Sequence, residues 1–285
     1  MGDTDFHAGK VQQMYDNRRK LYEIGWEKGD HQSIHCGLYD ETEHGTNDPF
    51  ENMIRRLSNT AEVDAGTRVL DIGCGGGDDA VWNARHRDAT VVGVDIDDEF
   101  LEAAADNAAS AGVTDQVSFR NDDFHELASV NDRTYDVVWG LEAIGHSANK
   151  SRVFERCRQV LDDGGRLAIG DLFARSDTPV DDAGRRIDIL ENSMCVRIDT
   201  VEKIETALAD AGFENIEILD ITEAVKPGLK KSYLSSLFMY PLSSLLRRLG
   251  RATDSVVGFY RGSYHMYKLL SKGALGYYFV TADRA

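Results

Sequence analysis

The chain has 285 residues, enough for one large domain or a core domain with an appendage. It is 42% hydrophobic, which sustains a packed core, and carries a formal charge of -17, which argues against nucleic acid as a partner. The opening MGDTDFHAGK is polar and acidic, unlike a leader peptide, and no apolar run approaches the roughly 20 residues of a membrane span. The cysteines, Cys36, Cys74, Cys157 and Cys195, form no CxxC pair. A reducing cytoplasm is expected, without structural zinc or a disulfide framework, and no metal site is indicated.

Lysine makes up ten of the 32 basic residues, with none between Lys28 and Lys150. A lysine-poor, carboxylate-rich surface stays hydrated in concentrated salt, so a halophilic source is expected, an ordinary acidic protein being the plainer alternative. The charge is uneven. Ala224 to Ala285 holds ten Lys/Arg against two Asp/Glu, a net of +8, and leaves -25 on the remainder.

In chain order, residues 5 to 25 carry apolar positions at helical spacing (Phe6, Val11, Met14, Tyr15, Tyr22), and His35 to Pro49 reads as a loop. A helix starts after Asp48 and Pro49. Strands are predicted at Arg68–Ile72, Thr90–Asp95, Val117–Arg120, Tyr135–Trp139, Arg166–Gly170 and Ile216–Asp220. Helices are predicted near Asp79–Arg85, Glu99–Ala111, Lys150–Leu161 and Val201–Ala211, with Gly112, Gly164–Gly165 and Gly212 at their ends. The alternation defines an α/β fold, a parallel sheet with helices on both faces, whose ligands bind at the carboxyl ends of the strands. About fifty residues separate the sixth strand from a last one, GYYFVTAD, too many for an ordinary connection.

The first strand runs into RVLDIGCGGGDDA. Gly75 to Ala80 fits a dinucleotide fingerprint, but Asp78 and Asp79 then sit where a pyrophosphate would dock, and carboxylates repel phosphates in a partly dry cleft. A phosphate-free nucleotide is expected. S-adenosylmethionine, with its sulfonium and ammonium, meets that condition. Asp95, ending VVGVDID, can accept hydrogen bonds from ribose hydroxyls, and Asp123 from an adenine amine, with Phe124 beside the ring.

VLDIGCGGG, VVGVDID, FRNDDF, YDVVWGLEAIGHS and VLDDGGRLAIGDLF, in this order over residues 65 to 222, resemble the class I S-adenosylmethionine-dependent methyltransferases. The resemblance implies a Rossmann-like, seven-stranded, mostly parallel sheet with a helical cap inserted before the last strand. It places Asp71 near the cofactor's ammonium, makes the loop of Gly73, Gly75 and Gly77, sets Asp95 on the ribose and Asp123 on the adenine, and lines the site further with Cys74, Ile96, Phe124 and Leu141. Asp122 is read as a solvated neighbour. VQQMYDN and IHCGLYDE look like the entrance segment of a small-molecule subgroup that includes sterol, tocopherol, rebeccamycin-type and sarcosine/dimethylglycine enzymes, where the equivalent of Tyr15 lies over the cofactor. The implied division is 1–60 covering the cofactor, 61–222 as core, 223–275 as cap and 276–285 as last strand.

Much of methyl transfer is positioning, and a base is needed only if the acceptor must lose a proton. Glu142 and His146 match the LExxxH pattern of the sterol, tocopherol and rebeccamycin-type members, and Asp171 follows the fifth strand on the same edge. Gly145 stands where some members carry another histidine. Cys74 and Cys157 show no partnered base and read as packing.

The region KPGLKKSYLSSLFMYPLSSLLRRLGRATDSVVGFYRGSYHMYKLLSKG is expected to cover the acceptor. Leu234, Leu237, Phe238, Leu242, Leu245 and Leu249 recur at helical spacing, with Pro241 as the site of a kink, and Lys230, Lys231, Arg247, Arg248 and Arg251 bracket them. Three readings stand open: peripheral contact of 230–251 with an anionic membrane, a channel for an isoprenoid tail, or packing on the sheet. A lipophilic, prenylated acceptor is the first expectation. Formation of glycine betaine from sarcosine or dimethylglycine is the second, and a membrane-peripheral protein that only senses the cofactor is the third.

Overall fold

The computed structural model describes residues 9–15, 17, 35–39, 48–131, 134–175 and 182–285. A helix, α1, includes residues 9–15 and 17. The remainder of the helix expected over 5 to 25, and parts of the 35 to 49 loop, lie outside the described residues. Then follow α2 (Pro49–Thr60), β1 (Arg68–Ile72), α3 (Asp78–Arg87), β2 (Thr90–Asp95), α4 (Asp98–Ala111), β3 (Val117–Asn121) and β4 (Tyr135–Leu141). After a 3-10 turn at Ile144–His146 come α5 (Lys150–Val160), β5 (Leu161–Ala174), α6 (Asp182–Met194), α7 (Val201–Asp210), β6 (Phe213–Asp220), α8 (Thr222–Arg248), α9 (Asp254–Ser271) and β7 (Leu275–Arg284).

Seven strands among the described residues form one sheet in the order β3-β2-β1-β4-β5-β7-β6. β7 runs antiparallel to β5 and β6, and the other pairs are parallel. The chain winds outward in one direction from β1 and in the other from β4, so their carboxyl ends flank the switch-point crevice.

Alternate residues feed the two faces, as a pleated strand requires. Val137 and Trp139 of β4 join a core with α2, α3 and α9, while Val138 joins the opposite core with α5 and α7. Helix starts follow local chemistry. Asp48 accepts from the amides of Phe50 and Glu51 ahead of Pro49, and Asp97 from those of Glu99 and Phe100. Gly112 ends α4 at φ 71°.

Two expectations are corrected. β5 continues past Gly170 to Ala174 because β7 pairs with it there, Gly170 with Phe279 and Ala174 with Leu275. Asp171 therefore lies within the strand rather than after it. α6 was not expected, its buried Ile187 and Leu190 being scattered among charges in DAGRRIDILENSM.

α8 and α9 fill the long connection between β6 and β7, and α9 packs against both α6 and α8. α8 continues through Pro227 and Pro241. Its apolar stripe does not face the sheet. Leu234, Leu237, Phe238, Leu242, Leu245 and Leu249 are exposed, Phe238 by 78%. The inward positions further along the helix hold Ser236 and Ser243. Packing on the sheet and lining of an internal channel are both overturned for this stripe.

Candidate active site

The turn after β1 has its glycines in left-handed backbone, at φ 71° for Gly73, 49° for Gly75 and 78° for Gly77. A Cβ on Gly77 would lie 2.8 Å from the Cβ of Ala104 and 2.9 Å from the ring of Phe119. Gly77→Ala is therefore expected to cost about 1–3 kcal/mol of stability from backbone strain and overpacking, read as a lowered Tm. The Gly75 amide donates to Asp95 Oδ2 at 3.0 Å, which ties the loop to the end of β2.

Among the described residues, the cleft over this loop is lined by eight carboxylates and by no lysine or arginine. Asp95 accepts from the Asp97 amide through its other oxygen, and burial raises its pKa. Asp123 accepts from the amide and the Nδ1 of His125, at 2.9 and 2.6 Å, and that imidazole lowers its pKa. Asp122 lines the cleft and accepts from the Ser129 amide, a fixed rather than freely solvated group. Ile96, Phe124, Leu141 and Cys74 also line it, with the Cys74 thiol pushed well above its usual range by burial.

Asp71, two residues before the loop, is 2% exposed, and its Oδ2 has no hydrogen-bond partner. Burial, then the charges of Asp79 and Asp95, push its carboxyl well above the usual range. Asp79 itself accepts from Trp139 Nε1 at 2.9 Å and lies 3.5 Å from His35 Nε2, so it is not aimed at a docking phosphate.

His35 is buried, and its Nδ1 donates to the Cys36 carbonyl at 2.9 Å. Burial opposes its charge, but the neighbouring Asp79 and then Glu142 outweigh it and push the imidazole up to about 9. A raised histidine adds stability that is complete below about pH 6.5 and fades as pH climbs through about 9. Thermal melts over that window should show a loss of up to about 3 kcal/mol that His35→Gln flattens.

The other half of the cleft is built on the turn after β4. His146 Nδ1 is 2.8 Å from the Cys195 carbonyl, which can only accept, so Nδ1 carries the proton. Nε2 then holds the lone pair and accepts from the Tyr15 hydroxyl at 2.9 Å. The Tyr15 ring stands edge-on to Phe100 at 5.5 Å, closing the cleft between the two halves.

Glu142, at φ 53°, accepts from the Cys36 amide at 2.5 Å and the Tyr277 hydroxyl at 2.9 Å. It pins the segment at residues 35–39 to the sheet. Asp171 accepts from the Gly145 and Leu172 amides, both at 2.8 Å. Burial and the Glu142 charge push it up to about 6. A Cβ on Gly145 would approach Asp171 Oδ1 to 3.3 Å, a physical reason for glycine there. The structure thus gives Glu142 and Asp171 positioning contacts, while two imidazoles of the cleft keep a lone pair on Nε2, His146 at the Tyr15 hydroxyl and His125 at the Ser147 hydroxyl. Beyond His146 the wall turns apolar, with Leu190 and Met194 from α6, Val196 and Ile198 after it, and Phe259 and Met266 from α9.

The structure therefore gathers Tyr15, Cys74, Gly73, Gly75, Asp95, Ile96, Asp123, Phe124, Leu141, Glu142, His146 and Asp171 around one cleft, while Asp71 and Gly77 are not among its lining residues, Asp71 being buried at the end of β1 and Gly77 packed against Ala104 and Phe119. Sequence reasoning missed His35, Tyr277 and Lys150. Lys150 Nζ is buried and holds the Ser147 and Arg197 carbonyls and the Asp199 carboxylate at 2.9–3.1 Å, bracing the His146 turn. A lysine opening a helix gives no sequence signal for that role.

Fold and cleft together define an α/β protein whose carboxyl-end site suits a cationic, phosphate-free nucleoside. A family model described as "Methyltransferase domain" matches residues 63–219. The 27-O-demethylrifamycin SV methyltransferase of Amycolatopsis mediterranei (strain S699) is 31% identical over 202 residues, 70% of this chain and 74% of that one. The sterol 24-C-methyltransferase ERG6B of Gibberella zeae is 27% identical over 263 residues, 90% of this chain and 65% of that one. The cyclopropane synthase MmaA2 of Mycobacterium tuberculosis superposes with a TM-score of 0.80 at 15% identity, over 99% of this chain and 100% of that one. The chain belongs to the methyltransferase domain family.

Proposed function

We propose that the protein transfers a methyl group from S-adenosylmethionine to a lipophilic small molecule, one with an isoprenoid portion. The observation that carries this reading is the division of a single cleft. Its loop half, among the described residues, is lined by carboxylates and histidines without a lysine or arginine, and its far half by Leu190, Met194, Val196, Ile198, Phe259 and Met266.

The orphaned Oδ2 of Asp71 and the carboxylate-rich lining fit a ligand bearing an ammonium and a sulfonium. Asp71 would hold the ammonium, Asp95 the ribose hydroxyls and Asp123 the adenine amine. Bound there, S-adenosylmethionine supplies a methyl carbon already activated towards displacement. The protein's own tasks are to orient the acceptor against the apolar wall and to exclude water beneath Tyr15. Where the acceptor atom carries a proton, His146 Nε2 receives it and the Cys195 carbonyl steadies the ring through Nδ1. Kinship with a sterol methyltransferase supports an apolar acceptor.

Methyl-labelled S-adenosylmethionine offered with a total lipid extract, and separately with sarcosine plus dimethylglycine, tests this reading. Label in the organic phase is expected. Label confined to the aqueous amines would replace the lipophilic acceptor with an osmolyte precursor.

A further inference from the structure

α8 is built inside out. The residues it turns inward in its second half include Ser236 and Ser243, buried to 0% and 2%, whose hydroxyls donate to the carbonyls of Tyr233 and Tyr240. The residues turned outward are Leu234, Phe238, Leu242 and Leu245, with Leu249 just past its end, exposed by 45% or more. Spacings of three and four place them on one stripe. Five apolar side chains in a row on water are more than scattered surface hydrophobes, and such a stripe marks an interaction surface.

The charges beside it restrict the partner. No Asp or Glu occurs between Glu223 and Asp254, in a chain with 49 acidic residues. Lys230, Lys231, Arg247, Arg248 and Arg251 fall in that stretch, all exposed. Arg247 pairs with Asp254, and Lys231 lies over the Tyr39 ring. No carboxylate pairs with Lys230, Arg248 or Arg251 among the described residues. A two-fold dimer formed on this stripe would set these cations against their own copies. An anionic sheet of lipid headgroups over an apolar interior satisfies both the stripe and the charges.

We infer that α8 is a peripheral membrane-docking helix, laying Leu234, Phe238, Leu242, Leu245 and Leu249 into the interface of an anionic bilayer while Lys230, Arg248 and Arg251 engage the headgroups. No described helix is long and apolar enough to cross a membrane, so the contact is made on its surface. The acidic body, with its net of -25, is repelled from the same surface, which orients the molecule with α8 downward. α9, which packs on α8, carries Phe259 and Met266 into the cleft, so the bilayer lies one helix away from the apolar wall. The inference goes beyond the acceptor's identity and does not depend on it.

Co-sedimentation with vesicles tests it, in the lowest salt that preserves the far-ultraviolet circular dichroism. One set is phosphatidylcholine alone, the other phosphatidylcholine with an equal part of phosphatidylglycerol. The protein is expected to pellet with the mixed vesicles and to stay behind with the neutral ones. F238E/L245E is expected to lower the partition coefficient by about 100-fold. K230A/R248A should lower it by about 25-fold, at about fivefold per cation. S-adenosylhomocysteine affinity, unchanged in both variants, reports that the fold survives. A protein that pellets with neither vesicle, or an F238E/L245E variant that pellets like the parent, overturns the inference. So does a dimer that F238E/L245E dissolves without any vesicle binding, which would make the stripe a subunit contact. A helix that docks while label passes only to amines would leave this inference standing and remove the lipophilic acceptor.

Discussion

His146→Ala slows single-turnover methyl transfer by on the order of 100-fold, with S-adenosylhomocysteine affinity little changed. The expectation rests on the proton inventory of one ring. The Cys195 carbonyl fixes the proton on Nδ1, so Nε2 presents its lone pair at the junction of the carboxylate-lined and apolar halves of the cleft. That lone pair is met by a single Tyr15 hydroxyl, which the acceptor must displace, whereas Glu142 is held by the Cys36 amide and the Tyr277 hydroxyl and Asp171 by two backbone amides. Rapid-quench measurement of label transfer to the acceptor fraction checks this. A variant whose saturated rate matches the parent while only its acceptor affinity falls would make His146 a binding residue.

Asp71→Asn separates stability from binding. The free protein holds a buried carboxyl with an orphaned oxygen, near two other acids. Uncompensated burial of charge is costly, so the neutral isostere should leave the free protein as stable as the parent or more so. Its S-adenosylmethionine affinity should fall by roughly 10- to 100-fold, because a charge-assisted contact to the ammonium is worth about 1.5–3 kcal/mol. To the extent that its raised carboxyl is protonated in the free protein, the parent should also release protons on binding, as the arriving cation draws the Asp71 pKa down. Calorimetry in buffers of different ionisation enthalpy reads both quantities. A destabilised variant that binds normally would make Asp71 a structural group.

The sheet was legible because its strands are short apolar runs closed by turn chemistry, and β1, β2 and the glycine loop fell where the sequence placed them. Tertiary pairing was not legible. β5 runs on through Asp171 only because β7 returns alongside it, and nothing local to LAIGDLF announces that partner. α6 escaped notice because its apolar positions alternate with charges. The α8 stripe was visible at helical spacing, but periodicity shows that a helix has an apolar side and not which way that side turns. Buried Ser236 and Ser243 settle the direction only once the helix is in place. At the site, the carboxylates could be read as hostile to phosphate. The buried His35, set beside Asp79 and within reach of the Glu142 charge by distant elements, could not.

The measurement that tests the account most directly is calorimetric titration of the protein with S-adenosylhomocysteine and, separately, with NAD. A cleft lined by eight carboxylates and no lysine or arginine among its described residues should bind the phosphate-free nucleoside and reject the pyrophosphate. Binding of NAD with no heat from S-adenosylhomocysteine would contradict the assignment of the cleft and of every role drawn from it.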